Sequence, residues 1–180
     1  MGYRLKIGFY CCSNGYGHFR RVIEIANLLS EKHSVEIFCS TDQLNKFTPL
    51  QNVTYNLVDI ENINWQKALN GNKEQVIDSY FDWVQEYGQT TEKFDIVVSD
   101  NLPGILGYRN DAIILGSFLW KDVFMSKFGD NRLTTFDSKL IDKYQPIIVT
   151  NKYAETQSVK QYTNKVQYGF GCKDRRKIFS

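Results

Sequence analysis

Long hydrophobic runs are missing from this sequence. Its apolar stretches fall far short of the roughly 20 residues that a membrane-spanning helix needs. A strong charge imbalance is missing too. Lys and Arg number 22 against 20 Asp and Glu, a net charge of +2, which builds no electrostatic footprint for nucleic acid. The longest basic run is Arg175-Arg176-Lys177. Met1 to Lys6 lead straight into a strand-like run, so no secretory leader is expected and the sequence reads as cytoplasmic. Histidine is scarce, with only His18 and His33, and neither completes a metal-ligand spacing with a cysteine. The four cysteines, Cys11, Cys12, Cys39 and Cys172, form no Cys-x-x-Cys pair. Cys11, Cys12 and Cys39 close apolar runs and read as buried fillers in a reducing compartment. No metal site is expected.

What is present suits one soluble domain. A chain of 180 residues is long enough to bury roughly 70% of its unfolded surface without a staple. Aromatic residues make up 14% of it and are spread along its length, which argues against disorder.

Apolar runs and helical stripes alternate. Leu5–Cys12 (LKIGFYCC) reads as a strand and ends in the turn cluster Ser13-Asn14-Gly15-Tyr16-Gly17. From His18 the period changes. Val22, Ile25, Ala26 and Leu29 mark one helical face, with Ile23 and Leu28 widening it. Val35–Cys39 is a second strand. Strand, glycine loop, helix and strand make a βαβ unit, which forces parallel pairing. Val53–Ile60 reads as a third strand, and residues 62–73 as a polar loop with a helical turn. Val76, Ile77, Tyr80, Phe81, Val84 and Tyr87 give a helical stripe closed by Gly88. Phe94–Ser99 reads as a strand buried on both faces. Asp111–Leu115, Pro146–Thr150 and a short Val166–Tyr168 complete the strands. The expected fold is α/β: a Rossmann-like open parallel sheet with helices on both faces. It spans residues 1–170, with 171–180 as a tail or the start of a linker.

Open parallel sheets bind ligands beyond the carboxyl ends of their strands. Ser13–His18 lies at such an end, directly before a helix N-terminus. Gly15 and Gly17 allow a tight turn and close approach to a ligand, and the helix N–H groups favour an oxygen-rich group. Three readings of this loop stand at this point. One is a dinucleotide fingerprint, in which Gly15 and Gly17 fit, Arg20 takes the third glycine position and Asp42 serves as the ribose acid. Arg20 there is expected to hinder helix–strand packing. Another is a purely structural turn capped by His18. A P-loop is excluded, because no Gly-Lys-Ser/Thr follows.

The third reading is a resemblance. Asn14-Gly15-Tyr16-Gly17-His18-Phe19-Arg20-Arg21, followed by Val22–Leu29, resembles the Gly-x-Gly-His-x-x-Arg loop and Ala-x-x-Leu helix of GT-B nucleotide-sugar glycosyltransferases. Val97-Val98-Ser99-Asp100-Asn101-Leu102-Pro103-Gly104 is similar to that family's strand, Ser-Asp and Pro-containing loop. Ala112–Asp122 (AIILGSFLWKD) is similar to the strand, Ser/Asn-Phe and Trp-Asp stretch of the subgroup nearest the peptidoglycan N-acetylglucosaminyltransferase. Together these segments cover most of residues 5–125. One departure is Lys32, where the family often has glycine.

The resemblance implies the acceptor-binding half of an enzyme that moves a sugar from a nucleotide sugar to the hydroxyl of a glycan or small-molecule acceptor. It implies no cofactor beyond the nucleotide-sugar co-substrate, and no metal. His18 would be the general base and Asp100 its orienting partner, although Asp100 as a cap of the following turn stays open. Substrate contacts are implied for Ser13, Asn14, Gly15, Gly17, Arg21, Asn101, Ser117 and Trp120. Phe118, Trp120, Phe124 and Phe128 offer an aromatic stripe for stacking on a sugar or lipid-linked acceptor, or for core. A membrane-borne acceptor fits the resemblance, but the charge lends it no support. The family's enzymes are about twice this length. The donor-binding domain is therefore expected on a longer gene or a partner chain, and the isolated chain is expected to be inactive. A stand-alone NAD(P)-type binding module and a nucleotide-sugar hydrolase remain as alternatives.

Overall fold

The computed structural model describes residues 3–151, 153–162 and 164–168. Seven strands form one open sheet. They are β1 (Lys6–Tyr10), β2 (Ser34–Cys39), β3 (Val53–Leu57), β4 (Ile96–Asp100), β5 (Ile113–Leu115), β6 (Ile148–Asn151) and β7 (Lys165–Tyr168). Their order is β3-β2-β1-β4-β5-β6-β7, and every pairing is parallel. The chain winds outward to β3, returns to the centre and then winds the other way. The switch point therefore lies between β1 and β4, where ligand clefts form in such sheets.

The helices are α1 (Tyr16–Ser30), α2 (Thr41–Leu44), α3 (Trp65–Lys67), α4 (Lys73–Gly88), α5 (Trp120–Phe128), α6 (Arg132–Tyr144) and α7 (Gln157–Lys160). Alternate residues of β1 point to opposite faces, as the strand period requires. Tyr10 and Cys12 join one core with Tyr80, Trp83, Ile105 and Phe124, beneath α4, α5 and α6. Ile7, Phe9 and Cys11 join the other with Phe19, Val22 and Ala26 of α1. Tyr10 stacks on Phe38 with ring centroids 4.5 Å apart. Gly8 faces Phe94, whose ring lies 2.5 Å from where a β-carbon would stand.

The expected α/β fold is the one observed, with several local differences. α1 begins two residues before His18, and the polar stretch after β3 is ordered as α3, a kink at Asn70 and Gly71, where Gly71 takes φ 91°, and the start of α4. α5 and α6 had no counterpart in the sequence reading. Leu28 does not widen the buried stripe of α1; it is 66% exposed. Helical cover of the second face is also uneven. α1 shields the β1–β3 half, while Ile96, Ile113 and Val149 line an apolar groove of about 260 Å³ beside Ile25 and Leu29. Cys11, Cys12 and Cys39 are buried free thiols, as expected of fillers. Burial pushes the Cys39 thiol up to about 12, so it stays protonated and inert. Gly169–Lys177 and Cys172 lie outside the described residues.

Candidate active site at the β1–β4 switch point

The loop after β1 is built for a sharp entry into α1. Gly15 takes φ 86°, a region costly for any residue with a β-carbon. Among the described residues no side chain caps the helix, so His18 is not the cap that one reading of the loop supposed. The loop is held from its other side. Ser13 donates its N–H to Asn62 Oδ1 at 2.8 Å, and its hydroxyl lies 2.9 Å from the same oxygen and 3.0 Å from the Ile63 carbonyl. Asn14 Oδ1 accepts from the Trp65 N–H at 2.9 Å. Gln43 Nε2, buried under the loop, donates to the Cys12 carbonyl at 2.7 Å. Ser13 and Asn14, expected to meet substrate, thus tie the glycine loop to the segment after β3.

α1 starts above the end of β1 and turns His18 and Arg21, one turn apart, toward the end of the neighbouring β4. There Asp100 closes the strand, with its side chain 1% exposed. His18 Nδ1 lies 2.8 Å from Asp100 Oδ2, and the Cys12 N–H donates to that oxygen at 3.4 Å. Arg21 Nη2 donates to Oδ1. Burial alone would raise the Asp100 carboxyl, but the Arg21 charge and the contact with His18 outweigh it and hold the group below its ordinary value. An ionised carboxylate only accepts, so the proton of this contact sits on Nδ1, and Nε2 is the ring nitrogen turned away from Asp100. The alternative reading of Asp100 as a cap is not what its oxygens do.

Two rings and a strained turn frame this cluster. The Phe118 ring stands edge-on to His18 at 5.8 Å, and Trp120 lies tilted at 6.3 Å. Trp120 is buried and donates Nε1–H to Cys12 Sγ at 3.1 Å. Asn101 sits at φ 61°, where asparagine is tolerated better than most residues. Its amide nitrogen donates to the carbonyls of Leu115 at 2.8 Å and Phe118 at 3.2 Å, which fastens the end of β4 to the loop after β5. Of the aromatic stripe, Phe124 is core and Phe118 remains half-buried beside His18.

Open space lies on two sides. A cleft of about 500 Å³ runs beyond β1–β3, lined by Ser13, Gly15, Tyr16, Ser40, Asp42, Asp59 and Glu61 among others. A second, of about 520 Å³, is lined by Trp65, Phe118, Val123, Asp122 and Thr156. His18, Arg21 and Asp100 are brought together; Ser13 and Gly15 face the first cleft, and Asp42 reaches it from α2. Arg20, expected to obstruct helix–strand packing, instead pairs with Glu24 at 3.2 Å on the exposed side of α1, so that objection to a dinucleotide falls. Asn62 and Gln43 were missed by the sequence reading. Ser40 and Gln43 do carry the Ser-x-x-Gln spacing of a capping box, which the structure contains. Among the described residues no group of three or more His, Cys, Asp or Glu side chains is placed to hold a metal ion, and no helix is long and apolar enough to cross a membrane.

No family model and no curated protein matches the sequence. A solved structure does match the fold: UGT73P12 of Glycyrrhiza uralensis, a plant UDP-glycosyltransferase, crystallised with glycyrrhetinic acid 3-O-monoglucuronide. The TM-score is 0.52 at 10% identity, over 94% of this chain and 49% of that one. The chain shares a glycosyltransferase-like fold and spans about half the length of the neighbour.

Proposed function

We propose that the chain is the acceptor-side half of a metal-independent GT-B glycosyltransferase, nearest in its motifs to the peptidoglycan N-acetylglucosaminyltransferase subgroup. The observation that carries this reading is the buried His18–Asp100 contact at the switch point of the sheet. A binding-only module has no use for a histidine whose Nδ1–H is held by a buried carboxylate. In the proposed reaction the acceptor hydroxyl gives its proton to His18 Nε2 as its oxygen bonds to the anomeric carbon of the donor. The bond from that carbon to the nucleotide diphosphate breaks, and the diphosphate leaves with the electron pair. Asp100 keeps the imidazole in the productive tautomer and balances the imidazolium that forms. The fold likeness to one half of a plant glycosyltransferase, itself seen with a triterpenoid glucuronide, agrees with a hydroxyl-bearing acceptor on this half. A donor-binding half, on the same or another chain, supplies the nucleotide site. Water in place of the acceptor would make the same site a nucleotide-sugar hydrolase.

One observation favours a second reading. Gly15 and Asp42 line the same cleft, as a phosphate-loop glycine and a ribose acid would in an NAD(P) module. Asp59 and Glu61 in that cleft oppose a diphosphate by charge. Thermal unfolding of the chain against NAD(P), nucleotides, nucleotide sugars and hydroxyl-bearing acceptors separates the two. A ligand at about a hundred times its Kd adds ~2.7 kcal/mol, which for a domain of this size raises Tm by roughly 5–10 °C. The transferase reading expects a shift with an acceptor that His18→Ala weakens, and none with NAD(P). A clear NAD(P) shift overturns it.

A further inference from the structure

We propose that the cleft between α3, α5 and α7 is a saccharide site, where Trp65 and Phe118 take the apolar face of a neutral sugar ring, and that the acceptor is therefore itself a glycan. This inference deepens the reading of the chain as an acceptor-side half, and rests on it for the step from bound sugar to acceptor. Trp65 carried no role in the sequence reading. The structure places it with Phe118 on the wall of the cleft of about 520 Å³.

The aromatic wall is fixed before any ligand arrives. The Trp65 N–H is held by Asn14 Oδ1 at 2.9 Å. Asn64 Oδ1 caps the turn that follows, accepting from the Lys67 N–H at 2.8 Å. The indole packs on Trp120, Phe124 and Phe128, with ring centroids 5.8, 5.5 and 5.6 Å away, yet it stays only half-buried. The Phe118 ring stands edge-on to Trp120 at 5.2 Å. It also stands edge-on to His18 at 5.8 Å, so the cleft opens one ring away from the proposed base. A platform packed in advance loses little freedom when a ligand occupies it.

The rest of the lining is polar. Thr156, Gln157 and Ser158 bring hydroxyl and amide groups to it. The Thr156 hydroxyl donates to the Ser117 carbonyl at 2.9 Å and lies 2.9 Å from the Ser158 hydroxyl. Asp122 is balanced by Lys121, whose Nζ donates to Oδ1 at 2.6 Å. An aromatic wall and hydroxyl-rich groups in one cleft match a pyranose, which presents C–H groups on its face and hydroxyls at its rim. A wholly apolar acceptor would cover those polar groups and leave them unpaired. The cleft beyond β1–β3 is the poorer place for a neutral sugar. It carries Asp42, Asp59 and Glu61, no Lys or Arg among its described lining residues, and Tyr16 as its one ring.

The test is an NMR titration of the chain itself, which needs no donor half and no activity. The probes are methyl β-glucoside, N-acetylglucosamine and cellobiose, with 2-naphthol as a planar apolar alcohol. At least one saccharide should bind saturably and move the indole N–H signal of Trp65, while that of the buried Trp83 stays in place. Trp65→Ala should weaken binding of that saccharide by about 3–10-fold, and Trp65→Phe, which keeps a flat ring, should restore most of it. Binding of 2-naphthol alone, saccharide binding that Trp65→Ala leaves unchanged, or no binding by any probe overturns the proposal. Should Trp65→Ala fail to fold, Phe118→Leu decides the matter, since it keeps apolar bulk and removes the ring face: a weakening of about 3–10-fold supports the site, and unchanged binding overturns it. Saccharide binding at Trp65 with no sugar transfer by any assembly would contradict the transferase reading and leave the saccharide site standing. Transfer to an apolar alcohol with no saccharide binding would do the reverse.

Discussion

His18 and Asp100 stand 82 positions apart in the chain and 2.8 Å apart in space. The parallel pairing of β1 with β4 at the centre of the sheet brings them together, because one strand launches the helix that carries His18 and the other ends on Asp100. Asp100→Asn keeps the shape of this contact and removes the charge. An amide can hold the wrong tautomer of the ring, so kcat in the assembled enzyme should fall by about 10²–10⁴-fold with a small change in KM. Steady-state kinetics with saturating donor measures it. An unchanged kcat would leave Asp100 with a structural role alone.

Gly17 separates folding from ligand approach. It lies in the first turn of α1, among the described residues nothing beyond its own turn comes within 4 Å of where its β-carbon would stand, and its φ is not positive. Gly17→Ala should leave Tm unchanged or raise it, since alanine is favoured over glycine in a helix by up to about 1 kcal/mol. Transfer should nonetheless drop at least tenfold if substrate approaches the backbone there. Tm and kcat/KM measured on the same variant check both halves.

Asp137 gives stability an inverse pH dependence. It is buried on α6, and its carboxylate oxygens lie 2.8 and 3.1 Å from the Tyr80 hydroxyl. Burial pushes its carboxyl up to about 8, with the Tyr80 hydrogen bond and the Lys121 charge only partly offsetting this. The folded value lies above the unfolded one, so the protonated form stabilises the fold at low pH. That contribution declines as pH rises from about 4 to about 8. Asp100, held below its ordinary value, acts in the other direction and loses its contribution only in acid. Tm should therefore fall between pH 5 and pH 8. Asp137→Asn should flatten that slope and raise Tm at pH 8, by about 2–4 °C for each kcal/mol recovered.

Gly116 holds the frame of the site. A β-carbon there would stand 1.7 Å from the Asn101 side chain and 2.8 Å from the Phe118 carbonyl oxygen. Gly116→Ala should cost about 1–3 kcal/mol by overpacking and displace the loop that carries Phe118. Denaturant unfolding reads the first, and the line shape of the Phe118 ring signals reads the second.

Much of this was legible in the sequence. The βαβ unit of the first forty residues, the parallel sheet and the pairing of His18 with Asp100 followed from strand ends, glycine placement and resemblance. The strand ends themselves ran long: Leu5–Cys12 narrows to Lys6–Tyr10, although the Cys11 N–H still donates to the Phe38 carbonyl at 3.0 Å and the alternation of faces continues through Cys12. α5 and α6 were not read as helices. α5 begins in aromatics that stacking and core packing explain equally well, whereas α6 does carry a helical stripe that the sequence reading passed over: Leu133, Phe136, Leu140, Ile141 and Tyr144 recur at helical spacing and pack on the core. Arg21 was read toward a ligand because a motif gives a residue's position and not its partner. The ties of Ser13 to Asn62 and of Asn14 to Trp65 join residues about fifty apart, and no local pattern encodes such a contact.

The central claim is that His18 takes the proton from an acceptor hydroxyl. Its most direct test is sugar transfer by the chain assembled with its donor-binding half, comparing wild type with His18→Ala under saturating donor and acceptor. The account predicts a loss of about 10²–10⁴-fold in kcat with the Tm of the chain within a few degrees of wild type. A His18→Ala enzyme that transfers sugar at the wild-type rate would contradict it.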